Sequence, residues 1–239
     1  MILNRISQLI VLALILTLTA CTKNVLKGSG KIITEERSVG AFTEIENSGP
    51  FRIMVQQAAV RSVTMTGEDN VLPEITTSVQ NGRLKIYYER DNTRPKHRTV
   101  VISISCPEIT GLHDNASGNI ESTGEWNHED LFLNISGSGE IRWQGNMDDL
   151  STNISGSGKI LLNGETTNAD HTISGSGFLY GYEMESKIVK ANISGSGNIE
   201  LRSTESLQCT ISGSGNIYYK GEPTVFSQTV SGTGKVYKR

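Results

Sequence analysis

The chain has 239 residues, a formal net charge of -3 and a pI near 5.9, so it carries no basic footprint for nucleic acid. Its 25 glycines, 5 prolines and 6% aromatic content describe many tight turns around small side chains and exclude a Pro/Gly-rich disordered chain.

The chain opens with Arg5 and then an almost wholly apolar run, Ile6 to Thr19. That run is too short to span a bilayer comfortably and reads as the apolar core of a signal peptide. It ends in Leu18-Thr19-Ala20-Cys21, which resembles the bacterial lipobox, whose cysteine is lipidated and becomes the mature N-terminus. Residues 1–20 are therefore expected to be a lipoprotein signal peptide, Cys21 the lipid attachment site and residues 21–27 a tether. The alternative is an ordinary signal peptide with a chance cysteine. A lipid anchor holds a protein on the membrane while its domain stays in water. The expected location is the bacterial cell envelope, with the outer membrane or cell surface ahead of a periplasm-facing position. Export also permits a disulfide between Cys106 and Cys209, but both sit in strand-like settings that suit free, packed thiols.

Residues 28–115 read as a β-rich region continuous with the repeats of the C-terminal half. Candidate strands are Phe42 to Glu46, Phe51 to Gln56, Val63 to Thr66, Ile75 to Val79, Leu84 to Tyr88 and Val100 to Ser105. Asn81-Gly82 between two alternating runs signals a hairpin. Asp69 to Pro73 reads as a turn or one short helical turn, and Asp91 to Arg98 as a polar, mobile loop.

From residue 116 to 239 the sequence repeats. Ile-Ser-Gly-Ser-Gly, or a close variant, recurs with its first serine at Ser136, Ser155, Ser174, Ser194, Ser212 and Ser231, at spacings of 19, 19, 20, 18 and 19 residues. Before each corner the alternate residues are mostly apolar, as in Leu131, Leu133, Ile135 and Leu207, Cys209, Ile211, with Asn, Thr or Ser between them. That is the period of a half-buried strand. A second strand follows each corner, beginning at Ile141, Ile160, Leu179, Ile199, Ile217 or Val236. One such unit cannot bury its apolar face alone, whereas stacked units make a continuous core. The expected fold is all-β: a parallel β-helix (β-solenoid), right-handed by the default for parallel crossovers, with rungs about 4.8 Å apart. The structural corners are Gly137, Gly139, Gly156, Gly158, Gly175, Gly177, Gly195, Gly197, Gly213 and Gly215. Glycine suits them because a sharp corner needs either φ > 0 or close backbone approach. Asn134, Asn153, Thr172, Asn192, Thr210 and Thr229 are expected to form an outward polar ladder. An antiparallel meander is disfavoured, since it would not require one identical corner per unit.

With Gly28-Ser29-Gly30, Ser48-Gly49-Pro50-Phe51 and the array of Ser-Gly-Ser-Gly corners, residues 28–239 resemble the bacterial family described as "putative auto-transporter adhesin, head GIN domain", whose adhesin label rests on likeness of fold to adhesin heads. The resemblance implies a right-handed parallel β-helix in exported, often lipid-anchored proteins, and it brings no catalytic motif.

Little in the chain points to catalysis. The corner glycines lack the further residues of a dinucleotide or phosphate loop, and they carry Ser where calcium-binding β-rolls need Asp. Of His97, His113, His128 and His171, only His128 adjoins an acidic pair, Glu129-Asp130, which reads as a solvated loop. Asp148-Asp149 is the best carboxylate pair, but adjacent residues of a strand point to opposite faces. No cofactor, metal or nucleic acid is expected. One outward column, Arg142, Leu161, Tyr180, Glu200, Tyr218 and Tyr237, places one residue per rung on a common face. Arg142, Tyr180, Tyr218 and Tyr237 are the candidate binding residues, since exposed tyrosine suits glycan or protein contact. The plainer reading, that tyrosine simply favours strands, is the stronger of the two at this level. The sequence thus predicts a non-catalytic, lipid-anchored envelope protein, an adhesin or binding scaffold whose partners are the membrane and an unidentified glycan or protein. The alternatives are a carbohydrate-active β-helix enzyme and a periplasmic structural or signalling partner.

Overall fold

The computed structural model describes residues 25–90 and 94–239; the expected signal peptide and Cys21 lie outside the described residues. The protein is an all-β parallel solenoid of about seven turns with a spacing near 19 residues.

The strands of the N-terminal half are β1 (Val25–Lys27), β2 (Ile32–Glu36), β3 (Glu44–Asn47), β4 (Arg52–Gln57), β5 (Ser62–Glu68), β6 (Ile75–Gln80), β7 (Arg83–Tyr88), β8 (Arg94–Lys96) and β9 (Val101–Cys106). Leu72–Glu74 forms one turn of 3₁₀ helix. The β6–β7 hairpin turns at Asn81 and Gly82, whose φ angles of 52° and 76° are those of a primed turn matched to strand twist. Two expectations change. Val25–Lys27, read as the end of a tether, is a strand paired in parallel with β8. Arg94–Lys96, read as part of a mobile loop, is the other strand of that pair.

The repeats supply β10 (Gly111–Asp114), β11 (Asn119–Thr123), β12 (Asn127–Ile135), β13 (Glu140–Gln144), β14 (Asn146–Ile154), β15 (Lys159–Ile173), β16 (Phe178–Ile193), β17 (Asn198–Ile211), β18 (Asn216–Lys220), β19 (Val225–Val230) and β20 (Val236–Lys238). Every pairing among them is parallel. Strands before each corner stack into one face of the solenoid and strands after it into a second. Ile135, Ile154, Ile173, Ile193 and Ile211 lie in register at the corner, all buried. Stacking like on like is what gives such short units a core.

The corners explain their own glycines. None of the ten corner glycines from Gly137 to Gly215 has a positive φ. Space is what requires them: a Cβ on Gly156 would sit 2.0 Å from the Gly137 carbonyl oxygen, and one on Gly175 2.1 Å from that of Gly156. The close approach lets each corner hydrogen-bond to the one below. Ser174, Ser176 and Phe178 donate their backbone N–H groups to the carbonyls of Ile154, Gly156 and Gly158 at 2.9–3.0 Å. The serine side chains face solvent.

Space and chain order part company in the N-terminal half. β3 and β4 form a rung that lies between the rung of β7 and β9 and the rung of β10 and β11. The chain thus enters at the second rung, builds the first and then passes over to the third. Antiparallel strands cover that end: β5 pairs with β9, β2 with β5, and β6 with β7. At the other end β19 and β20 are outermost, and Val225, Phe226, Val230 and Tyr237 are exposed there.

Polar residues that break the apolar columns pair with one another or with the backbone. Thr152 and His171 are register neighbours inside the core, and Thr152 Oγ1 lies 2.9 Å from His171 Nδ1. Burial holds the His171 imidazole neutral, with its pKa lowered to about 4. Asp114 takes the isoleucine position at the first corner of the repeat region and is fully buried. Its Oδ1 accepts the Ala116 N–H at 3.1 Å, while Oδ2 has no hydrogen-bond partner and occupies the room left by Gly139. The expected outward ladder is present in part: Asn153 Nδ2 donates to Asn134 Oδ1 at 2.8 Å. A second ladder follows the corner, where Asn216 Nδ2 donates to Asn198 Oδ1 at 3.2 Å. Cys106 and Cys209 are free and buried.

Candidate functional site

The outward column of the second face is in register throughout: Glu121, Arg142, Leu161, Tyr180, Glu200, Tyr218 and Tyr237 stand one above another on successive rungs. Parallel pairing at constant register makes this inevitable once the strands follow the corners at a fixed offset. From Glu121 to Glu200 the column covers about 19 Å at the ordinary strand spacing.

Over those rungs lies a groove of about 460 Å³, within the range of small-ligand sites. Trp143 and Leu162, both buried, contribute its apolar floor. Tyr182 and Glu183 contribute to its wall. Sequence reading missed these two residues, but the signal was present in the repeat lengths. The rung that contains Tyr180 has 20 residues where its neighbours have 19 and 18. The extra length leaves the ladder as a bulge: β16 shifts register against β15 between Leu161 and Asn163, and against β17 between Gly181 and Glu185. Bulges re-aim side chains and recur beside functional sites. Gly181 permits this one, since a Cβ there would come within 2.8 Å of the Glu200 carbonyl oxygen.

Aromatic rings cluster around the bulge. Phe178 and Tyr180 stack with centroids 4.2 Å apart and planes 18° from parallel, and Tyr218 and Tyr237 stack at 5.3 Å and 11°. The Lys220 ammonium lies 4.3 Å from the Tyr182 ring centroid, and the Arg239 guanidinium lies over both Tyr218 and Tyr237. Burial, with Glu200 nearby, pushes the Tyr182 phenol up. Burial likewise raises the Glu200 carboxyl, against the pull of Lys220 and Arg239. Arg142 is held by Glu140 through Nε at 2.6 Å, and Glu121 by Arg52 at 3.2 Å. Of the four candidate binding residues, Arg142 and Tyr180 line the groove, while Tyr218 and Tyr237 form a stacked pair farther along the same column.

The carboxylates considered for catalysis do not converge. Asp148 and Asp149 are both exposed, between the buried Met147 and Leu150, so they do not point to opposite faces in the sense of one inward and one outward. Asp148 lines a depression with His128 and Lys187, and Asp149 a different one with Asp170 and Lys190. Asp149 Oδ1 accepts a hydrogen bond from Asn168 at 2.8 Å. Among the described residues no three His, Cys, Asp or Glu side chains gather in a metal-binding group.

Residues 41–223 match the protein family described as "Putative auto-transporter adhesin, head GIN domain". Solved structures share the fold. A "putative adhesin" of Bacteroides fragilis NCTC 9343 superposes with a TM-score of 0.84 at 23% identity, over 90% of this chain and 100% of that one. A "putative lipid binding protein" of Parabacteroides distasonis ATCC 8503 gives 0.76 at 23% identity, over 90% and 100%. A "putative adhesin" of Parabacteroides merdae ATCC 43184 gives 0.74 at 21% identity, over 90% and 99%. No curated protein matches the chain.

Proposed function

We propose, for a chain that belongs to the family described as "Putative auto-transporter adhesin, head GIN domain", that it is an exported, lipid-anchored and non-catalytic binding protein that displays its solenoid on the bacterial envelope and holds its ligand on the second face. The observation that carries the reading is the groove of about 460 Å³ with its bulge-borne Tyr182 and Glu183 beside a column that keeps its register from rung to rung. A regular solenoid needs no such departure for stability, and binding surfaces are built where a rigid scaffold presents an irregular segment. The lipobox ending in Cys21 supports the anchor, and with it a single acyl-cysteine tether to the membrane. The separation of Asp148 from Asp149 supports a role in which this pair is not a glycosidic dyad, because such a dyad needs two carboxylates flanking one bond.

Intact cells test the reading. Labelled palmitate is expected on the wild-type chain and absent from Cys21→Ala, and protease added outside is expected to remove the wild-type protein and the adhesion of the cells with it. Full protection from external protease, together with adhesion equal to that of cells lacking the protein, overturns the proposal.

A further inference from the structure

The groove is lined by tyrosine, carboxylate and amide groups, and its charged lining residues are Glu121, Glu183 and Glu200 with Arg142. Glu121 pairs with Arg52 and Arg142 with Glu140, so neither pair leaves a free sign. Glu183 and Glu200 form no salt bridge among the described residues, while Lys220 and Arg239 lie close enough to Glu200 to act on its carboxyl, and each also lies over a tyrosine face. A polyanion would meet the carboxylates of Glu183 and Glu200, and a polycation would meet Lys220 and Arg239 beside Glu200. A ligand with no net charge meets neither repulsion.

Resting on the binding role proposed for this face, we propose that the groove binds a neutral oligosaccharide laid along the solenoid axis. The flat, apolar faces of sugar rings fit tyrosine, whose ring is apolar and whose hydroxyl still finds a hydrogen bond at the edge of a wet site. Tyr180 and Tyr182 supply two such rings on one rung. Glu183, Glu200, Gln144 and Asn163 line the same groove and accept or donate at ring hydroxyls. The length fits as well: about 19 Å of groove takes a chain of several sugars rather than a single one. The bulge is the selective element. It lies on the 20-residue rung, and it is what brings Tyr182 and Glu183 to the groove.

The test is titration of the folded chain with cello-, malto- and chito-hexasaccharides, with an oligogalacturonate of the same length as the anionic comparison. At least one neutral hexasaccharide is expected to bind saturably, with little change from low to high salt. Tyr182→Ala is expected to weaken that binding about five- to tenfold, the scale of one lost aromatic contact. Tyr182→Phe keeps the ring and is expected to stay within about twofold of wild type by the same measure. Tyr87→Ala, on the first face, is expected to leave binding unchanged. Preference for the oligogalacturonate with strong salt dependence overturns the proposal, as does neutral-sugar binding that Tyr182→Ala leaves intact. If no neutral sugar binds while cells still adhere through the protein, the ligand class is wrong and the binding-scaffold reading stands. If adhesion is absent as well, both fall.

Discussion

Substituting Gly175 by Ala probes the corner stack. The added methyl would lie 2.1 Å from the Gly156 carbonyl oxygen and 2.6 Å from that of Ser155, both backbone atoms of the rung below. Relief requires the two rungs to part by about an ångström, since carbon and oxygen do not approach much within 3 Å. Parting them stretches the bonds from Ser174 N–H to Ile154 and from Ser176 N–H to Gly156, now 2.9 and 3.0 Å. Two backbone hydrogen bonds contribute about 1 kcal/mol each, and overpacking adds about 1–3 kcal/mol. Against this, Ala reduces the freedom of the unfolded chain by about 0.4–1 kcal/mol. The net loss is about 2–5 kcal/mol, a large part of the about 5–15 kcal/mol typical of a domain. Urea denaturation followed by the fluorescence of the buried Trp126 and Trp143 reads it directly. The midpoint should fall with the slope unchanged, while Ser176→Ala, at an exposed corner position, should stay within about 0.5 kcal/mol of wild type. Equal midpoints for the two variants would refute the claim that crowding demands glycine at the corner.

Asp114 and the cysteines give further predictions. Burial raises the Asp114 carboxyl from 3.8 to about 6 in the folded protein, so the native state holds a proton that the unfolded chain releases. Its contribution is complete below pH 4 and is lost as pH rises towards 6, by roughly 3 kcal/mol in all. His171, lowered from 6.5 to about 4, acts in the opposite sense, its contribution being lost as pH falls from 6.5 towards 4. The two overlap, so the informative quantity is a difference: Asp114→Asn should be more stable than wild type at pH 7.5, with the gain shrinking as pH falls from 6 to 4. A gain independent of pH would remove Asp114 as the titrating group. Burial pushes the Cys106 and Cys209 thiols up to about 11 and about 12. Both should resist a maleimide in the folded protein and react in denaturant; rapid labelling of either at neutral pH would contradict their packing.

The solenoid was legible because its periodicity is written in single residues: one isoleucine, two serines and two glycines per rung, each tied to a place in the stack. The strands of the N-terminal half were legible from alternation, to within a residue or two at Ile75–Gln80 and Val101–Cys106. Their order in space was not. Nothing local in β3 and β4 tells that β7 and β9 will stack outside them, because parallel strands of equal pattern accept either neighbour. The β1–β8 pair was missed since Arg94–Lys96 contains Pro95 and no alternation, and its partner is about 70 residues away. At the groove, Arg142 and Tyr180 followed from counting columns. Tyr182 did not, because a bulge breaks the very count that locates the column. The preference for reading the tyrosines as ordinary strand residues rested on composition; their clustering beside the bulge is a property of register and needed the fold.

The central claim is that the second face is the surface that meets the ligand. Hydroxyl-radical footprinting of the protein on adhering and detached cells tests that claim directly. Adhesion is predicted to protect Tyr180 and Tyr182, while Tyr87, half-buried on the first face, reacts equally in both states. Protection confined to other parts of the solenoid, with Tyr180 and Tyr182 as reactive on adhering cells as on detached ones, would contradict it.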